Sequence, residues 1–239
     1  MLFRSGDIIW IQPIIERFVA SGFQVVYPVI EIYYEVARKY LPRNGLTYVL
    51  VNSDYEFKEC FNSPQILQHN GNVYLPLHFS HLHFPECPLM ISKYLLAQVP
   101  LKDFRQSVPK IRDHEREYAL EKLVNPNNED FVLISQLFGT PPNSGQRTLV
   151  TNVEVGIKKI YVDYQNKALM DFHLFDWIGL IEKASSIHVV ESALSYLVDL
   201  YANDLADIHM YDRVGDGEST RFMKNLEFVH RHPAWVYHF

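Results

Sequence analysis

Apolar positions along the chain switch repeatedly between the period of a helix and that of a buried strand. That alternation predicts an α/β protein. Ile8, Ile11, Ile15, Phe18 and Val19 recur at helical spacing and predict a helix over residues 8–21, with Gly22 as its stop. Residues 24–28 read as a strand, 29–40 as an amphipathic helix, and 46–52 as a buried strand rich in β-formers. Asn70-Gly71 predicts a tight turn between extended runs at 65–68 and 72–77. The aromatic, His-rich and Pro-punctuated stretch 78–88 reads as loop, and residues 90–98 and 113–124 as helices.

Asn125-Pro126-Asn127-Asn128-Glu129-Asp130 has the composition of a linker. The same plan then starts again. Strands are predicted at 131–136, 148–155, 159–162, 187–190 and 208–211, and helices at 176–184, 192–201 and 218–228. A Gly/Pro loop occupies 139–146, and the tail 230–239 is aromatic. Two successive α/β halves predict two Rossmann-like lobes, residues 1–125 and 126–239, with the carboxyl ends of their strands facing across a cleft.

Composition narrows the function classes. The 239 residues are 48% hydrophobic, ample for a buried core, and the net charge of −6 comes without a basic stripe, which argues against nucleic acid as partner. A small anion is still accommodated, because a helix N-terminus binds phosphate without net positive charge. Cys60 and Cys87 make no disulfide framework, and no apolar run reaches the roughly 20 residues of a membrane span. A cytoplasmic protein is the expectation.

Four places could carry chemistry. Ser5-Gly6-Asp7 opens the first predicted helix: Asp7 is either a helix cap or a carboxylate able to take a proton from a hydroxyl. In 187–192, a buried strand carrying His188 ends in Glu191 and Ser192 just before a helix. Free N–H groups there can receive a diphosphate and the carboxylate can accept ribose hydroxyls, although Ser192 could equally be an ordinary cap. The loop after the strand at 131–136 offers Phe138, Gly139 and Thr140, with Gly139 permitting close backbone approach. His78, His81, His83 and Cys87 lie close together, as do His230, His232 and His238 in the tail, but no zinc-type spacing accompanies either group, so no metal is expected. Phosphate-loop, dinucleotide and nucleophile-elbow signatures are missing, as is a D-x-D pair between the strands.

Taken together, these pieces resemble the ADP-heptose:lipopolysaccharide heptosyltransferase family. The likeness is carried by Gly6-Asp7-Ile8-Ile9 with Pro13, by residues 131–138, by the helix at 176–184 and by the strand-to-helix passage at 187–197. It implies a GT-B fold and a nucleotide-sugar donor held mainly by the C-terminal lobe, with no metal or other cofactor and inversion at the anomeric carbon. By the same likeness Asp7 is the general base that activates an acceptor hydroxyl, and Glu191 and Ser192 bind the donor. Phe138, Gly139, Thr140 and His188 complete the expected donor site, and Ser5, Gly6, His81 and His83 the acceptor site, the acceptor being a glycan. Residues 53–120 have no counterpart in that family, and residues 188–192 lack its glycine. Heptose itself is therefore not implied, and a hexose or deoxyhexose serves equally. The alternative from another class is a non-catalytic glycan- or nucleotide-binding module of a longer protein.

Overall fold

The computed structural model describes residues 5–138, 145–149, 156–163, 166–213 and 235–238. Several expectations lie outside these residues: Gly139 and Thr140, the part of the expected strand over 150–155, the helix at 218–228, and His230 and His232. The backbone of Ser5 is described but its side chain is not. The protein is mixed α/β and divides into two compact units, Met1–Ile111 and Arg112–Phe239.

In the first unit, the expected helix over 8–21 is two helices, α1 (Ser5–Trp10) and α2 (Gln12–Ala20), broken at Ile11. Pro13 explains the break, because it has no N–H to bond back and its ring is tolerated only in a helix's first turn. Gly22, at φ +88°, closes α2: the Phe23 N–H reaches the Phe18 carbonyl and the Gly22 N–H reaches Val19. Strands β1 (Val25–Val29) and β2 (Leu46–Leu50) pair in parallel around α3 (Glu31–Tyr40). The Asn70-Gly71 turn is present, with both residues at positive φ, and joins the antiparallel pair β3 (Leu67–His69) and β4 (Asn72–Tyr74). The stretch 78–88 is not all loop. It contains the short helix α4 (Ser80–His83), tied by a 2.7 Å Ser80–Ser92 hydroxyl contact to α5 (Leu89–Ala97).

Helix α1 is fastened to α5 at three points. The Trp10 indole donates to the Met90 carbonyl at 2.8 Å, the Tyr94 hydroxyl donates to the Trp10 carbonyl at 2.8 Å, and the Lys93 ammonium donates to the Asp7 carboxylate. The Lys93 side chain is only 3% exposed and that of Asp7 14%, so the pair is screened from solvent.

The second unit begins with α6 (His114–Val124), ahead of the 125–130 linker at which the sequence placed the boundary. Ion pairs hold α6 and its leading Arg112 to later elements. Arg116 binds both oxygens of the fully buried Asp176, Arg112 binds Glu182 as well as Glu117 of α6 itself, and Lys183 binds Glu121. Strand β5 (Phe131–Ser135) comes next, and its all-buried run Phe-Val-Leu-Ile-Ser suits a strand covered on both faces. Residues 137–138 and 145–146 then form a small antiparallel pair, β6 (Leu137–Phe138) and β7 (Gly145–Gln146), where a loop was expected. Residues 148–149, the described part of the strand expected at 148–155, are irregular. Strand β8 (Lys158–Tyr161) follows, then helix α7 (Ile178–Lys183), β9 (Ser186–Val190), helix α8 (Ala193–Tyr201), β10 (Asp207–Tyr211) and β11 (Trp235–His238). The main sheet of this unit is five-stranded and wholly parallel, in the order β11-β10-β9-β5-β8.

Removing one partner of a buried ion pair costs about 3–5 kcal/mol, because the charge left behind is poorly solvated. Lys93→Met is therefore expected to destabilise the protein by about 3 kcal/mol. The double variant Lys93→Met/Asp7→Asn, which buries no charge, should recover more than half of that loss in urea denaturation. A Lys93→Met protein as stable as the parent would show that the pair contributes nothing.

Candidate functional site

Because all five strands run the same way, their carboxyl ends and the loops after them share one edge of the sheet. The chain leaves β5 for β8 on one side and then returns to β9 on the other. The chain therefore reverses direction between β5 and β9, and the carboxyl ends of the strands beside such a reversal are the usual ligand position in sheets of this kind. Three of the expected donor residues, Phe138, Glu191 and Ser192, lie just past those two strand ends.

Phe138 and Glu191 are each held by an identifiable contact. The Phe138 ring lies over Gly145, where an added Cβ would sit 2.5 Å from it, so any larger residue there would displace the ring. The Arg213 guanidinium lies 5.7 Å from the centre of the same ring. Arg213 also binds the Glu191 carboxylate and donates to the Glu191 carbonyl at 3.2 Å. Glu191 is 5% exposed, and its N–H donates to the Tyr211 carbonyl at 2.9 Å. Arg147 stands at the same edge, donating to the Asp212 carbonyl at 2.7 Å, ion-paired with the Asp212 carboxylate, and 5.9 Å from the Tyr211 ring centre.

Ser192 settles one of the alternatives. It occupies the position before α8 in an extended conformation, but its hydroxyl does not cap the helix. The oxygen is hidden from solvent and has no hydrogen-bond partner among the described residues. This hydroxyl lies beside the first turn of α8, where the Ser195 N–H already donates to the Ser192 carbonyl at 3.3 Å. Arg213 is the site residue that sequence reading missed. Its one signal was a cation just past the strand at 208–211, and Glu191, its partner, is distant in sequence.

His188 departs from the expected donor role. It lies within β9, two residues short of the strand end, and is 6% exposed. Both ring nitrogens are engaged, Nε2 with the Ser186 hydroxyl at 3.1 Å and Nδ1 with the Tyr211 hydroxyl at 2.9 Å. Ser186 donates its own hydrogen to the Asp207 carbonyl, so His188 donates through Nε2, and in the neutral ring that burial favours Nδ1 accepts from Tyr211. The ring stacks on His209 at 4.4 Å, and His209 Nδ1 meets His238 Nε2 at 2.9 Å, a contact that accommodates one proton, not two. These rings continue the sheet face formed by Val132, Ile134, Val190 and Tyr211. Burial, then the neighbouring His209 and His238, pushes His188 down to about 4. Burial likewise lowers His209 and His238.

In the first unit, Gly6 is the second residue of α1, and Asp7 sits in the first turn of that helix facing Lys93. The charges of Asp7 and Lys93 both reach His78, whose Nε2 binds the Phe61 carbonyl at 2.8 Å and whose ring stacks on Phe61. Of the expected acceptor residues, His81 is partly buried in α4, and His83 is exposed with Nε2 on the Pro64 carbonyl. Among the described residues no three His, Cys, Asp or Glu side chains are grouped to hold a metal, and no helix is long and apolar enough to cross a membrane. Comparison with known proteins returned no matching family, no similar curated sequence and no similar solved structure.

The histidine face fixes the sign of a pH effect. Its folded-state values lie below the ordinary value near 6.5, so between about 6.5 and about 4 the unfolded chain takes up protons that the folded sheet refuses. Stability should be flat above that window and fall as pH drops through it. His188 alone should cost about 2 kcal/mol between pH 7 and pH 5. Urea midpoints at the two pH values should show this loss, and His188→Gln should reduce it. An unchanged pH dependence in the variant would contradict the assignment.

Proposed function

We propose that the protein is a glycosyltransferase that takes a nucleotide-sugar as donor and a glycan hydroxyl as acceptor. The observation that carries the reading is the Ser192 hydroxyl at the start of α8, hidden and without a hydrogen-bond partner among the described residues, just past the carboxyl end of β9. A diphosphate there would accept from Ser192 and from the N–H groups at the start of α8, with Arg213 and Arg147 supplying positive charge to the leaving nucleoside diphosphate. The Phe138 ring offers an apolar wall. The GT-B reading of the two units, inversion at the anomeric carbon and an acceptor partly held near His81 and His83 rest on the family likeness.

In this mechanism Asp7 takes the proton of the attacking hydroxyl as the bond from the anomeric carbon to the diphosphate breaks. Its ion pair with Lys93 supports a second reading. A carboxylate already neutralised by an ammonium is a poor proton acceptor, which favours a nucleotide- or glycan-binding module without turnover.

Thermal-shift measurements with UDP-, GDP-, ADP- and dTDP-sugars test the donor site. A ligand at about 100 times its Kd should add roughly 2.7 kcal/mol of stability. Ser192→Ala and Arg213→Ala should each weaken that ligand about tenfold, the loss of one hydrogen bond to a charged group. Asp7→Asn should abolish transfer while leaving the thermal shift intact. If none of the four nucleotide-sugars raises the melting temperature, the donor assignment fails; a shift without any transfer by the parent protein selects the binding module.

A further inference from the structure

A cavity lies in the first unit, between the C-terminal half of α3 and the start of β2, with a volume of about 650 Å³. Ligand sites typically measure a few hundred to about 1,000 Å³, so it is large enough for a small carbohydrate. Its walls include Tyr34, Arg38, Arg43, Asn44, Thr47 and Tyr48. It opens at the amino end of β2, the edge of the parallel pair opposite its strand carboxyl ends.

The charges on this wall are poorly spent within the protein. Arg43 donates through one terminal nitrogen to the Ser107 carbonyl, yet its Nε is hidden from solvent and has no hydrogen-bond partner among the described residues. No carboxylate is ion-paired with Arg43 among the described residues. Glu16, the acid within reach of its field, is bonded instead to Ser107 and Lys102. Arg38 has one long contact of 3.4 Å, to Glu35, and both of those side chains are more than half exposed. Its guanidinium also lies 5.2 Å from the Tyr34 ring centre. A sequestered guanidinium N–H without an acceptor is costly, and a guanidinium fork matches the paired oxygens of a carboxylate or phosphate. Arginines near the C-terminal end of α3 also complement its dipole, but that role leaves the hidden Nε of Arg43 unexplained.

We propose that this cavity binds a small sugar bearing a carboxylate or phosphate, with Arg43 and Arg38 on the anionic group, Asn44 and Thr47 on hydroxyls, and the Tyr34 and Tyr48 rings as walls. The site lies within the first unit and does not depend on how the donor is held.

The test is a chemical-shift titration of the whole chain with glucuronate, glucose 6-phosphate and neutral glucose, with inorganic phosphate as a fourth probe. Glucuronate or glucose 6-phosphate should bind with millimolar or tighter affinity and shift Arg43, Asn44 and Thr47 amides, while glucose should bind at least tenfold more weakly. Binding of glucuronate alone assigns a carboxylate ligand, and binding of glucose 6-phosphate alone assigns a phosphate ligand. Arg43→Gln and Arg38→Gln should each reduce binding at least fivefold with unchanged melting temperature. If Arg43→Gln perturbs folding, Arg38→Gln, at an exposed position, gives the same readout. Equal binding of glucose, tight binding of inorganic phosphate alone, no binding by either anionic sugar, or undiminished binding by Arg38→Gln would each overturn the proposal.

Discussion

Parallel pairing is the constraint on which the rest of the second unit depends. Strands that run the same way cannot be joined by tight hairpins, so every return crosses a face of the sheet and every strand delivers its loop to the same edge. The residues after β5, β9 and β10 therefore gather at one edge although they are far apart in sequence, as Phe138, Glu191 and Arg213 illustrate. At that edge Arg213 reaches both the Glu191 backbone and the Phe138 ring.

The two faces of that sheet are used differently from the edge. Ile187, Val189, Ile208 and Met210 are fully buried on one side. The other carries Val132, Ile134 and Val190 and then passes into the ring contacts of His188, His209, Tyr211 and His238. Neutral imidazoles serve there as flat, hydrogen-bonding packing groups. Hydrogen-bond geometry assigns His188 its tautomer without reference to any ligand, and for this reason a histidine beside a promising strand end proves to be part of the packing.

Much of the fold was legible because it rests on local signals. The Asn70-Gly71 hairpin, the Gly22 helix stop and the buried run of β5 each arise from a few adjacent residues. So does the passage from β9 through Glu191 and Ser192 into α8. The features that could not be read depend on partners distant in sequence. The break at Ile11 is the exception, since its cause, Pro13, is local. Helix 80–83 is anchored by Ser92, and the Asp7–Lys93 pair spans 86 positions. Arg213 acquires its place only when β10 is laid beside β9. A sequence shows which side chains can act but not which counter-charge will meet them, so Asp7 could be named as a carboxylate of interest without revealing that an ammonium already occupies it.

The ion pairs of α6 carry a practical consequence. The asparagine-rich segment at 125–130 looks like the natural place to divide the chain, yet the helix before it belongs with the five-stranded sheet. A recombinant fragment starting at residue 126 would strip Arg116 from the fully buried Asp176 and Arg112 from Glu182, leaving an orphaned anion in its interior and Leu120's apolar contact face bare. Starting at Arg112 retains all of these partners, and so gives the shorter polypeptide its own complete complement of counter-ions.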